Sequence, residues 1–288
     1  MRALALLVWL LPSIALADPI ELSIATRGSN LELTFKNIGK TPVTMTTHVR
    51  AGNDHYDWLN VELKGKTGRR TLELVESRTK AIPVDETIAA GGSLTRKVDL
   101  VWWSIRGSNI GGPIEPGTYE VLATWNGKQH KLSAKTTWTL PAPRETGCKE
   151  AAGINTAKLE LLAQQVDRTA SARVGLHNTD TVVHCIHGII RTHETQNDWL
   201  RMTFQVPGET TERAIGFSGS RDKSYPVAYE LPPGATLWGT WDLADWHKRD
   251  GKTLPAKTTL WITATWDASR TRDVWRGQAT TGFGLRVP

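Results

Sequence analysis

Two β-sandwich domains in tandem, all-β throughout, are what this sequence predicts. Three features predict it: apolar and polar side chains that alternate with a period of two, turn residues that punctuate those runs at short intervals, and a second half that repeats the first.

The alternation is clearest in Tyr119-Glu-Val-Leu-Ala-Thr-Trp125, whose odd positions Tyr119, Val121, Ala123 and Trp125 form one apolar face. Leu260, Ile262, Ala264 and Trp266 do the same in the second half. Leu94, Val98 and Leu100 form a further inward set, matched by Leu237, Trp241 and Leu243. Val43, Met45 and Val49 form a third, matched in part by Ile186 and Ile190. Ala90-Gly91-Gly92, Glu115-Pro116-Gly117, Asn126-Gly127 and Pro232-Pro233-Gly234 are turn signals. Helical periodicity is nearly absent; Lys158 to Val166 fits either a helix turn or the first strand of the second domain, and the strand is favoured because Leu22 and Ile24 hold a similar place in the first.

The repeat carries Leu31–Asn37 onto Ala172–Asn178, Arg50 onto Arg191, and Asp57-Trp58-Leu59 onto Asp198-Trp199-Leu200 without a gap. After a two-residue slip it carries Gly91 onto Gly234, Asp99-Leu100 onto Asp242-Leu243 and Trp103 onto Trp246. The domains are therefore expected at 18–140 and 150–288, joined by a proline-containing linker, 141–149, which is locally stiff.

Residues 1–17 read as a cleaved export signal. Arg2 supplies a positive start, Ala3 to Leu11 is an apolar run too short to span a bilayer, and Ala15-Leu16-Ala17 is a small-x-small cleavage site. The mature chain is expected in the periplasm or outside the cell, not spanning a membrane. Its two cysteines, Cys148 and Cys185, would meet an oxidising compartment and form a bridge. The formal net charge of +6 is mild for 288 residues and scattered, which argues against a nucleic-acid partner.

Gly91 to Leu100, with Leu-x-x-x-Val-Asp-Leu after a glycine turn, and Pro116 to Trp125, Pro-Gly-Thr-Tyr-x-Val-x-Ala-Thr-Trp, resemble bacterial immunoglobulin-like β-sandwich modules. They are most similar to the domain of intracellular-proteinase-inhibitor type, with looser echoes at Gly234 to Leu243 and Thr259 to Trp266. The resemblance covers the second half of each domain. It implies two immunoglobulin-like domains and, as one form of peptide recognition, protease inhibition.

No catalytic motif appears. Gly216-Phe217-Ser218-Gly219-Ser220 lacks the spacing of a nucleophile elbow, and no His-Glu-x-x-His, phosphate loop or dinucleotide fingerprint occurs. A non-enzymatic binding or adaptor protein without a cofactor is expected, recognising a protein or peptide through loops or a sheet edge. One alternative is a carbohydrate-binding module that stacks sugars on tryptophans off the inward faces: Trp102, Trp138, Trp238, Trp261 and Trp275, with Arg106 in a neighbouring loop. Another is an envelope protein binding copper or zinc through strand histidines: His187 and His193 on one face of the second domain, and His48 on an outward face of the first, with His55 beyond it.

Overall fold

The computed structural model describes residues 18–51, 53–55, 58–72, 82–106, 113–127, 129–149, 159–166, 169–189, 200–215, 226–245, 253–268, 275 and 277–288. The proposed leader, His193, Arg191, Asp57, Asp198 and residues 107–112 and 216–225 lie outside them.

The first repeat runs through β1 (Ile20–Arg27), β2 (Asn30–Asn37), β3 (Val43–Ala51), β4 (Asn53–His55), β5 (Leu59–Gly65), β6 (Gly68–Leu72), β7 (Ile82–Ile88), β8 (Ser93–Asp99), the short helix α1 (Leu100–Arg106), β9 (Gly117–Asn126) and β10 (Lys131–Leu140). Its sheets are ordered β1-β2-β8, β4-β3-β7 and β10-β9-β5-β6. They enclose one apolar core in which Val121, Ala123 and Trp125 of β9 meet Leu31, Leu33 and Phe35 of β2. The Phe35 and Trp125 rings meet edge to face, 5.0 Å between centroids, the arrangement their quadrupoles favour.

The linker contributes β11 (Arg144–Glu145). The second repeat then runs through β12 (Leu159–Gln165), β13 (Ser171–Asn178), β14 (His184–Ile189), β15 (Leu200–Gln205), β16 (Arg213–Ala214), β17 (Pro226–Leu231), β18 (Thr236–Asp242), β19 (Thr259–Asp267) and β20 (Gln278–Arg286). Its sheets are β12-β13-β18, β11-β17-β14 and β16-β15-β19-β20, around a second core holding Leu260, Ile262, Ala264 and Trp266. The fold is thus all-β, with all described strand pairs antiparallel. Cys148 and Cys185 form a disulfide that ties the end of the linker to β14. No helix among the described residues is long and apolar enough to cross a membrane.

Two details depart from the alternation. Leu100 does not continue β8; it opens α1, because the Asp99 carboxylate accepts the backbone N–H of Trp102 (3.0 Å) and caps the helix. Asp242 accepts the N–H of Asp245 (3.0 Å) in the same way, and helical backbone begins at Leu243. The pairing of β3 with β7 also shifts between Thr46 and His48. At this bulge His48, expected to point outward, is buried beside Thr47.

One polar device occurs in both repeats. The Asn37 side-chain amide donates to the carbonyls of Thr41 (2.8 Å) and Ile88 (2.9 Å) and accepts from the Gly39 N–H. Asn178 donates to Val182 (2.8 Å) and Leu231 (2.7 Å) and accepts from Asp180. Each buried amide ties the end of one sheet to a strand of the neighbouring one and has its donors satisfied.

Candidate functional site

The outward face of sheet β12-β13-β18 is covered by the first repeat. Register places Leu162, Gly175 and Trp238 side by side across its three strands. Gly175 makes room for the indole: a Cβ there would stand 2.4 Å from Trp238 Cε3. Trp238, expected to be exposed, is instead half-buried, and both it and Leu162 pack into the core of the first repeat. The turn after β1 completes the contact. Gly28 and Gly234, both at positive φ, bring two backbones together, and a Cβ on Gly234 would come within 2.5 Å of the Ser29 nitrogen.

A polar cluster sits in this joint. Ser29 donates to Asp99 Oδ2 (2.5 Å). His177, fully buried, places Nε2 3.2 Å from both Asp99 Oδ2 and Ser29 Oγ. Its Nδ1 faces Thr236 Oγ1 at 2.8 Å and the Ala235 carbonyl at 3.2 Å. Burial alone would raise the Asp99 carboxyl pKa, but the bonds from His177, Ser29 and the Trp102 N–H outweigh it and hold the group below the usual range. Serine, histidine and aspartate recur in hydrolase triads, yet here serine and aspartate meet the same ring nitrogen, whereas a triad sets them on opposite nitrogens. The cluster binds the repeats together. Sequence alone does not reveal it, since its members come from turns and strands of different repeats.

In the first repeat, Glu86 on β7 accepts from Thr47 and pairs with Arg96 of β8; Thr47 also bonds His48 Nδ1 (2.9 Å). Burial opposes the charge, but these partners keep the Glu86 carboxyl below its ordinary range. His48 thus belongs to a buried polar network. His187 is half-buried, and the side chains of His55 and Arg106 lie outside the described residues. Cys185 is committed to the disulfide, and among the described residues no three of His, Cys, Asp or Glu converge as metal ligands.

The expected tryptophan row does not assemble. Trp138 is 1% exposed, since its cross-strand partner is the inward-facing Tyr119, and its Nε1 donates to the Gly28 carbonyl (2.6 Å). Trp275 is buried where the chain after β19 crosses β14, its N–H bonded to the Cys185 carbonyl (2.7 Å). Trp102 lies half-buried on α1 rather than on a strand. Trp261 alone of the five is exposed, at 53%. The depression lined by Met45, Thr46, Trp125, Gly127, Gln129 and His130 is only about 60 Å³, far below the roughly 300 Å³ at which small-molecule sites begin.

The sheet edges differ between the repeats. On β17, one side pairs with β14 and the other with the linker strand β11, Arg144 opposite Glu230 and Glu145 opposite Tyr229. The equivalent strand of the first repeat is β7. It pairs with β3, and among the described residues no strand occupies its other side. Pro83, which lacks a ladder donor, suits such an edge.

No family model matches the chain, and no curated protein matches it. Among solved structures it is similar to the native conformation of E. coli alpha-2-macroglobulin, at 12% identity and a TM-score of 0.30 over 93% of this chain and 17% of that one. This chain therefore spans less than a fifth of that protein's length.

Proposed function

We propose that this is a non-enzymatic binding protein of the periplasm or cell exterior that captures an extended segment of a partner protein as an added strand on β7. The observation that carries this reading is the linker: β11 already occupies the matching side of β17, so the chain performs strand addition on itself in one repeat, and among the described residues no strand takes the same edge in the other. Backbone hydrogen bonds would supply affinity, and alternate side chains along β7 would supply selectivity. Ile82, 64% exposed at the start of β7, offers an apolar contact for the incoming strand. The leader-like first 17 residues and the disulfide support an oxidising location. The likeness to inhibitor-type domains fits as a special case, in which the captured segment belongs to a protease.

A photo-crosslinking residue at Asp85, exposed on β7, tests this in cells that export the protein. Adducts with a defined partner are expected there and not from Glu21 on the outer face of β1. Equal capture from both positions, or none from Asp85, would contradict the reading.

A further inference from the structure

Aromatic rings laid over glycines recur in this protein: Tyr119 over Gly65, Trp238 over Gly175 and Trp261 over Gly282. A Cβ on Gly282 would stand 2.5 Å from Trp261 Cζ2, so the indole lies down across β20 with one face against the sheet. Its other face is turned to solvent, in keeping with its 53% exposure.

Register fixes what surrounds it. Directly opposed residues share a face, so Gln205 of β15 and Gly284 of β20 flank Trp261, while Thr203 and Gly282 flank Thr263. At one end of this face Arg286 stands opposite Thr259, and at the other Arg201 stands opposite Thr265. The two arginines are thus separated by about 20 Å along β19 at ~3.4 Å per residue, with the indole between them. Both are exposed, and neither has a carboxylate partner among the described residues. Of the acids nearby, Glu209 pairs with Arg213, Glu212 accepts from the Thr203 hydroxyl, and Asp267, half-buried, shares this face of β19 beyond Thr265.

The contrast with Trp238 sets the occupant. Trp238 has Leu162 and Gly175 beside it and is met by an apolar core. Trp261 has hydroxyls, an amide and two glycines beside it, with an exposed arginine toward each end. We propose that this face binds an anionic polysaccharide. One pyranose ring stacks its apolar C–H face on Trp261, ring hydroxyls reach Thr259 and Thr263, and carboxylates on neighbouring sugars meet Arg286 and Arg201. The first repeat has no such platform: Glu120 takes the place of Trp261, and Lys135 that of Gly282.

Affinity electrophoresis of the full chain through gels holding polygalacturonate or neutral dextran tests the proposal. Retardation by polygalacturonate that weakens with added salt is expected, with none by dextran. Trp261→Ala should weaken binding by at least about tenfold, as loss of a stacking ring does, while Trp261→Phe keeps most of it. Gly282→Ala, which lifts the ring while retaining it, should weaken binding severalfold. Arg201→Gln with Arg286→Gln should reduce both binding and its salt dependence. Undiminished retardation of Trp261→Ala, equal retardation by dextran, or a salt dependence untouched by the double arginine change would overturn it. Unchanged thermal midpoints across the set exclude misfolding as the cause.

Discussion

The two copies of one sheet have opposite fates. In β1-β2-β8 the outward positions Ser23, Thr34 and Thr95 lie in register across three strands; in β12-β13-β18 the same three positions hold Leu162, Gly175 and Trp238. Lys36, exposed on the first sheet, corresponds to the buried His177 on the second. Four substitutions on a duplicated scaffold separate a solvated face from a docking face. The turns show the same divergence: Gly91 and Gly234 both have positive φ, yet a Cβ on Gly91 meets nothing within 4 Å, whereas one on Gly234 strikes the first repeat.

The largest effect should come from the linker. Replacing both Cys148 and Cys185 by Ser opens a bridge spanning 37 positions and should cost about 3–4 kcal/mol in the chain-entropy account, measured by urea unfolding. β11 should then exchange its amides faster on β17, while β3 and β7 are unaffected.

Trp238→Thr, which installs the residue found in the first repeat, should cost about 2–3 kcal/mol, somewhat less than a fully buried Trp truncation. The reverse change, Thr95→Trp, should leave stability nearly unaltered. Equal effects of the two would break the comparison.

Gly91→Ala and Gly234→Ala share the strain of a side chain at positive φ, about 1–2 kcal/mol. Only Gly234→Ala should add a further loss and loosen the joint, so the difference between their unfolding midpoints reads the docking contact.

The smallest effect is acid sensitivity. Asp99 titrates lower in the folded chain than its ordinary value, so its stabilising contribution is present above the ordinary value and is lost as pH falls through the folded one. Stability should therefore decline below about pH 4, and His177→Ala should flatten that decline.

Most strands are legible in the sequence because alternation marks them, and duplication displays the inward sets of β8 and β9 a second time in β18 and β19. The features that escape depend on more than one strand. Trp238 does point out of its own sheet, as its sequence position says, but the surface that covers it belongs to the first repeat. Trp138 turns inward because of its pairing with Tyr119, which its own segment does not reveal. His48 is buried at a bulge that leaves no mark in composition. The helix after Asp99 is only 7 residues long and nearly all apolar, so it resembles strand continuation. Asn37 and Asn178 do leave a signal, an asparagine kept at the same register in both copies, and its meaning emerges only with its bonds.

Residual dipolar couplings of backbone amides in the intact chain test most directly whether the apolar outer face of β12-β13-β18 fixes the two repeats to each other. A single alignment tensor should fit both repeats of the natural chain, and two tensors should be needed for Trp238→Thr. Two independent tensors in the natural chain, or one tensor surviving Trp238→Thr, would contradict the account.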